Sequence, residues 1–153
     1  MDNRTLIKIV VLSLILGAIF AILAPIPYLG IVILFIALIL AAPAVMLYMI
    51  MDGSYDLTTT KDSIINGAIS GFCVNLSFSI VYCIIITILA KGFSIADNAF
   101  LTYMIINSPI WLLIAFIIFI GVLFATTNAF SAFLTHYIID FIRDNYENSH
   151  KNS

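Results

Sequence analysis

Apolar residues fill this chain in four long blocks with few polar interruptions, at about 5–24, 29–51, 63–90 and 109–142. Each block reaches the ~20 residues needed to cross a hydrocarbon layer ~30 Å thick. No water is available there to satisfy backbone N–H and C=O groups, so each block is expected to be an α-helix. A membrane β-barrel would need segments of ~10 residues that alternate apolar and polar, and runs such as 31–42 do not alternate. The expected fold class is therefore all-α, an integral membrane four-helix bundle. It forms one domain over 1–146, with spans at about 5–24, 29–51, 63–90 and 109–131 and a disordered polar tail at 147–153.

The residues between the blocks define the turns. Pro25-Ile26-Pro27-Tyr28 is a very tight hairpin, because two prolines cannot continue a helix and force extended backbone before them. Pro43, inside the second span, removes a donor and crowds the preceding turn, which predicts a kink beside the small residues Ala41, Ala42 and Ala44. Asp52-Gly53-Ser54-Tyr55-Asp56 reads as a turn, and Thr59 with Asp62 as the cap of helix three. Lys91-Gly92 is expected to end that helix. Ser94 and Asp97 resemble a second cap, opening an apolar stretch at 95–106 that is too short to span and is expected to lie on the outer face as an interfacial helix. Ser108 is the expected N-cap of the last span, with Pro109 at its first position. From 109 to 142 a straight helix would be about 51 Å long, more than a whole bilayer. Thr126-Thr127-Asn128 is read as the inner boundary, and the chain beyond it as a cytoplasmic amphipathic C-terminal extension.

Charge then orients the bundle. Arg4, Lys8, Lys61, Arg143 and Lys151 fall on one side of a four-span chain and only Lys91 on the other. The excess of basic residues marks the cytoplasmic side, so both termini are expected there and the protein in the cell membrane. The first block could pass for a signal peptide, but it is too long, lacks an A-x-A site and carries Pro25 where cleavage would fall. Composition agrees with the membrane: 63% of residues are hydrophobic and 9% charged. Six basic residues and a net charge of −2 supply no footprint for nucleic acid. Cys73 and Cys83 are about 15 Å apart along one helix and read as free apolar thiols.

The expected spans contain no Asp, Glu, Lys, Arg or His in their cores; Lys8 and Asp140 sit at cytoplasmic ends. Proton relays and ion-coupled carriers usually need such a group. His136 and Asp140 share a helix face, but a metal site needs three or four ligands, so no metal and no cofactor is expected. No catalytic residue is expected either: the serines of helix three have no nearby base, and G-x-S-x-G is absent.

The sharpest pattern lies on helix three. Gly67 and Gly71 form G-x-x-x-G, and the same step runs from Ser63 through Asn75, Ser79, Cys83 and Thr87, with Asn66, Ser70, Cys73 and Ser77 close by. Ile64, Ile65, Ile69, Phe72 and Leu76 occupy the opposite, lipid-facing arc. Small residues let backbones approach and hydroxyl and amide groups bond across helices, so this is read as a helix-packing face. Its expected partners are Gly121, Ala125 and Ala129, with Asn128 beside them, and Ser13, Gly17 and Ala21 of helix one. The competing reading makes the same face the lining of a path for a small solute or ion.

The hairpin Leu23-Ala24-Pro25-Ile26-Pro27-Tyr28-Leu29-Gly30, the run Ala41 to Ala44 before Tyr48, and Gly67-x-x-x-Gly71 resemble the small uncharacterised four-span membrane proteins of prokaryotes, of the domain-of-unknown-function type. The resemblance covers the first half of the chain and implies no activity. Span two departs from it, being rich in Ile and Leu where that pattern carries more glycine. Thirty isoleucines and more Lys than Arg fit an AT-rich prokaryotic genome. The reading of function is a non-enzymatic membrane protein acting through helix–helix association. Its partners are the lipid bilayer and a second copy or another membrane protein. The alternative is a small channel or transporter subunit, with a membrane enzyme third.

Overall fold

The computed structural model describes residues 3–26, 29–53, 59–93 and 99–151. Among them every regular element is an α-helix: α1 (Asn3–Leu23), α2 (Leu29–Met51), α3 (Thr60–Phe93), α4 (Ala99–Asn107) and α5 (Ile110–Lys151). The four long ones, α1, α2, α3 and α5, are each long and apolar enough to cross a membrane. α3 packs against α1 and against α5, α2 bridges α1 and α5, and α4 lies against α3.

Side-chain size is distributed as a lipid-solvated bundle requires. Ile7, Ile31, Phe35, Trp111 and Phe119 point outward, while Ala21, Ala37, Ala41, Ala42, Ser13 and Ser70 fill the interior. Hydrocarbon solvates the large residues, and helices that gain nothing by hiding them associate through close contact at small ones.

The helix ends follow from local chemistry. The Ala24 N–H bonds the Phe20 carbonyl at 2.9 Å and the Leu29 N–H bonds Ile26 at 3.1 Å, so α1 turns into α2 within a few residues; Pro27 and Tyr28 lie outside the described residues. α2 closes through Asp52 onto Tyr48 (2.9 Å) and Gly53 onto Ile50 (3.0 Å). Gly53 takes a φ of 66°, the left-handed conformation that glycine enters without a Cβ penalty. The rest of the expected turn, Ser54 to Asp56, is outside the described residues. Thr59 caps α3: its Oγ1 accepts the Asp62 N–H at 3.2 Å and donates to Asp62 Oδ2 at 2.8 Å.

Two expected boundaries shift. Helix three does not stop at Lys91-Gly92 but runs to Phe93, and Gly92 has no left-handed φ. Its expected successor cap, Ser94 with Asp97, is outside the described residues, while α4 covers the later part of the predicted short helix. The Pro109 carbonyl accepts the N–H groups of Leu112 (3.0 Å) and Leu113 (3.3 Å), so Pro109 rather than Ser108 holds the cap position of α5.

The largest correction concerns Thr126-Thr127-Asn128. Asn128 bonds to Ala37, Leu38 and Ala42, halfway along α2, so it marks the middle of the bundle and not its inner edge. Thr126 and Thr127 donate to the Val122 and Leu123 carbonyls of their own helix at 2.8 and 2.9 Å. Hydroxyls satisfied in this way need no water and are no marker of an interface. α5 is 42 residues long, about 63 Å as a straight helix, and the backbone of residues 147–151, expected as part of a polar tail, is helical.

Candidate functional site

The buried residues of α3 are Ser63, Asn66, Gly67, Ser70, Gly71, Val74, Asn75, Phe78 and Ile86. Steps of three and four keep this stripe on one side of the helix. The glycines in it touch backbone. A methyl group at Gly71 would meet the carbonyl oxygen of Phe124 and the Cβ of Asn128; one at Gly67 would meet Ala132, Ala129 and the Asn128 carbonyl. On α1, a methyl at Gly17 would meet the Val74 carbonyl and the Phe78 nitrogen. α3 is thus pressed backbone to backbone between α1 and α5.

The face that α5 offers overlaps the expected one, with Gly121 and Asn128 in it and Ala129 against Gly67, but its centre lies to one side. Its buried residues include Gly121, Phe124, Asn128, Ala132 and His136, whereas Ala125 and Ala129 are half-buried at the edge. Phe72, expected toward lipid, leans over Gly121 and is half-buried. A ring can reach sideways across a neighbouring glycine, so its angular position on the helix wheel did not decide its surroundings. Ile69 likewise packs against the cluster around Ile9, Met46 and Ala132.

Polar groups on these faces close on protein partners. Ser13 Oγ and Ser70 Oγ pair at 2.8 Å in the buried α1–α3 contact. Ser77 Oγ donates to the Leu14 carbonyl at 2.7 Å, and Asn75 Nδ2 to the Ile117 carbonyl of α5 at 3.0 Å. Thr87, further along, returns to the Cys83 carbonyl of its own helix at 2.7 Å. Ser79 is half-buried and has no hydrogen bond among the described residues.

The densest knot is Asn128, fully buried at 0% exposure. Its Oδ1 accepts the Ala42 N–H at 2.8 Å, and its Nδ2 contacts the carbonyls of Leu38 (2.9 Å), Phe124 (3.0 Å) and Ala37 (3.2 Å). In an unbroken helix the N–H of Ala42 and the C=O of Leu38 pair with each other. Pro43 follows directly inside α2, where its ring crowds the preceding turn and its nitrogen offers no donor. The Asn128 carboxamide therefore binds α2 backbone in the turn that precedes Pro43.

A second cluster overturns the expectation that the helix-three serines lack a base. Ser63 Oγ lies 3.2 Å from His136 Nδ1, 73 residues away in the chain, and His136 Nε2 lies 3.2 Å from Asp140 Oδ2. Asp140 in turn stands 3.9 Å from Arg143. The Ser63 hydroxyl also donates to the Thr59 carbonyl at the cap of its own helix at 3.4 Å, and the direction of its bond with Nδ1 follows the ring tautomer. The order hydroxyl, imidazole, carboxylate is that of a hydrolytic triad, but Ser63 is 0% exposed, so no substrate carbonyl can approach its oxygen. What the arrangement does is tie the first turn of α3 to α5. Among the described residues no three His, Cys, Asp or Glu side chains converge.

Among the described residues two buried side chains have atoms without a partner: Thr102 at Oγ1 and, at 2% exposure, Asn66 at both Oδ1 and Nδ2. Asn66 borders a pocket of about 10 Å³ with Ile9, Val45, Met46, Met49 and Ser70.

Sequence reading could not bring Asn128 to Ala42 or Ser63 to His136, because each pair joins distant helices. The available signal was Asn128 itself, a lone amide in an apolar stretch with Phe124 and Ala132 one turn to either side. Compared with models of protein families, with curated proteins and with solved structures, the chain matches none.

Proposed function

We propose that this chain is a non-enzymatic, multi-pass protein of a prokaryotic cell membrane that acts through helix–helix association. The observation that carries this reading is the face of α3. Its glycines Gly67 and Gly71 meet α5, Gly17 of α1 meets its backbone from the other side, and Ser70, Asn75 and Ser77 each bond a neighbouring helix. Close contact at small residues with hydrogen bonds across it is how helices associate in lipid. In this reading both termini are cytoplasmic, α4 lies at the outer interface, and the end of α5 continues as a cytoplasmic amphipathic extension. The apolar outer surfaces of α2 and α5 meet lipid, a second copy or another membrane protein.

The channel reading would need polar atoms turned toward an open path. The bonding of Ser13, Ser70, Asn75, Ser77 and Asn128 to protein favours packing over it. The experiment is reconstitution of the purified full chain in liposomes. Ion and small-solute flux equal to that of empty liposomes, together with cross-linking between copies or to a partner in native membranes, is the expected result. Protein-dependent flux would transfer the proposal to the channel.

A further inference from the structure

A cavity of about 440 Å³ lies between α2, α3 and α5, on the side of the bundle that carries α4. Its size falls within the range of small-molecule sites, roughly 300–1,000 Å³. Asn75 and Phe124 border it toward the bundle centre, and Met104 of α4 borders it at the other end. Two of its lining residues, Ile31 of α2 and Phe116 of α5, are themselves 68% and 45% exposed. The cavity is therefore reached sideways, between α2 and α5, from the surroundings of the apolar helices.

Its walls are chemically unequal. α2 and α5 contribute hydrocarbon and aromatic rings, while α3 contributes Asn75, Ser79, Tyr82 and Cys83. Ser79 is the informative one. Thr87, Thr126, Thr127 and Thr135 each return their hydroxyl to the carbonyl four residues back, and Ser13, Ser70 and Ser77 bond another helix. Ser79 does neither among the described residues, and it lines the cavity. A hydroxyl in an apolar setting gains most from a partner there.

No Asp, Glu, Lys, Arg or His is among the described lining residues. A charged group would lose its hydration with no opposite charge in return. Ser79 is also about 21 Å of helix away from Phe93, the end of α3, too deep for a phospholipid headgroup held at the interface. The geometry points to a binding site for a neutral amphiphile: a slender hydrocarbon body carrying one hydroxyl or carbonyl that hydrogen-bonds Ser79. The inference rests on the helices lying in lipid, which membrane fractionation checks separately.

The test uses the full chain in phosphatidylcholine nanodiscs and a long-chain primary alcohol bearing a photoactivatable diazirine. Label is expected on the segments around Ser79 and Ile120. Unlabelled alcohol should compete about threefold to tenfold better than the alkane of equal length, the range set by one hydrogen bond in a membrane. Ser79→Ala should abolish that preference without lowering the melting temperature, because its hydroxyl holds no helix. Ile120→Trp should block labelling by filling the cavity; Leu34→Trp, on a more exposed wall, does the same job if Ile120→Trp fails to fold. Equal competition by alkane and alcohol in the wild type overturns the proposal and leaves only hydrocarbon filling. Labelling that survives the folded tryptophan variants overturns it as well.

Discussion

The side-chain oxygen of Asn128 accepts the backbone N–H of Ala42 at 2.8 Å, one residue ahead of Pro43. With the Nδ2 contact to Leu38, an amide of α5 binds the α2 backbone in the turn before Pro43. A proline inside a membrane helix leaves polar backbone that lipid cannot satisfy, and neighbouring side chains must do so. Pro43 withholds the donor due to the Ile39 carbonyl, and Asn128 holds the α2 backbone on either side of that turn, at Leu38 and at Ala42.

Asn128→Leu should therefore cost about 2–3 kcal/mol, since it strands buried backbone groups at similar volume. Pro43→Ala restores the donor to the Ile39 carbonyl and relieves the crowded turn that Asn128 braces, so the same substitution should cost about 1 kcal/mol less in that background. Reversible unfolding of the four proteins in mixed micelles gives the coupling. Strict additivity would mean that Asn128 does not act on the Pro43 defect.

Asn66 should behave in the opposite way. Its carboxamide is buried without partners, so replacing it by an apolar residue of similar size removes a penalty. Asn66→Leu should leave stability unchanged or raise it by about 1 kcal/mol. A loss as large as that from Asn128→Leu would show that Asn66 has a partner in the membrane.

The glycines should rank by what a methyl group meets. Gly67→Ala, Gly71→Ala and Gly17→Ala run into backbone atoms or a Cβ, which cannot swing aside, and should each cost about 1–3 kcal/mol. Gly121→Ala meets mainly the Phe72 ring, which can rotate away, and should cost less. Gly92→Ala meets nothing within 4 Å and should be neutral or slightly stabilising through helix propensity. Detergent-melting curves of the five variants test the order.

Topology is checked by placing single cysteines at Ser153 and Ser94 in a background without Cys73 and Cys83. A membrane-impermeant maleimide added to intact cells should label position 94 and spare position 153. Labelling of 153, or protection of 94, contradicts the loop-charge orientation.

Much of the bundle was legible because its signals are local and strong. Long apolar blocks leave few alternatives to spanning helices, and Thr59 with Asp62 announces a helix start within four residues. The Gly67–Gly71 spacing pointed to the face of α3 that is buried. The partner face on α5 was harder, because neighbouring residues differ by only about 100° around the axis. Small size favoured Ala125 and Ala129, yet Phe124 and Ala132 are buried instead. Asn128 was misplaced at the boundary because an amide in an apolar run looks like an approach to water until its partners on α2 are known. Ser63 and His136 were kept apart for a related reason: a span assumed to end near residue 131 leaves His136 outside, whereas the α3–α5 contact continues to it.

If the small and polar face of α3 holds the bundle together, the melting temperature of Gly71→Leu must fall well below that of Ile84→Leu, a change on a surface that is 55% exposed, with liposome flux measured on the same preparations. Gly71→Leu should lose about 1–3 kcal/mol or more of stability, Ile84→Leu should change little, and neither should show flux. A Gly71→Leu protein that melts like the wild type while altering a flux the wild type supports would contradict this role and make the face the wall of a path.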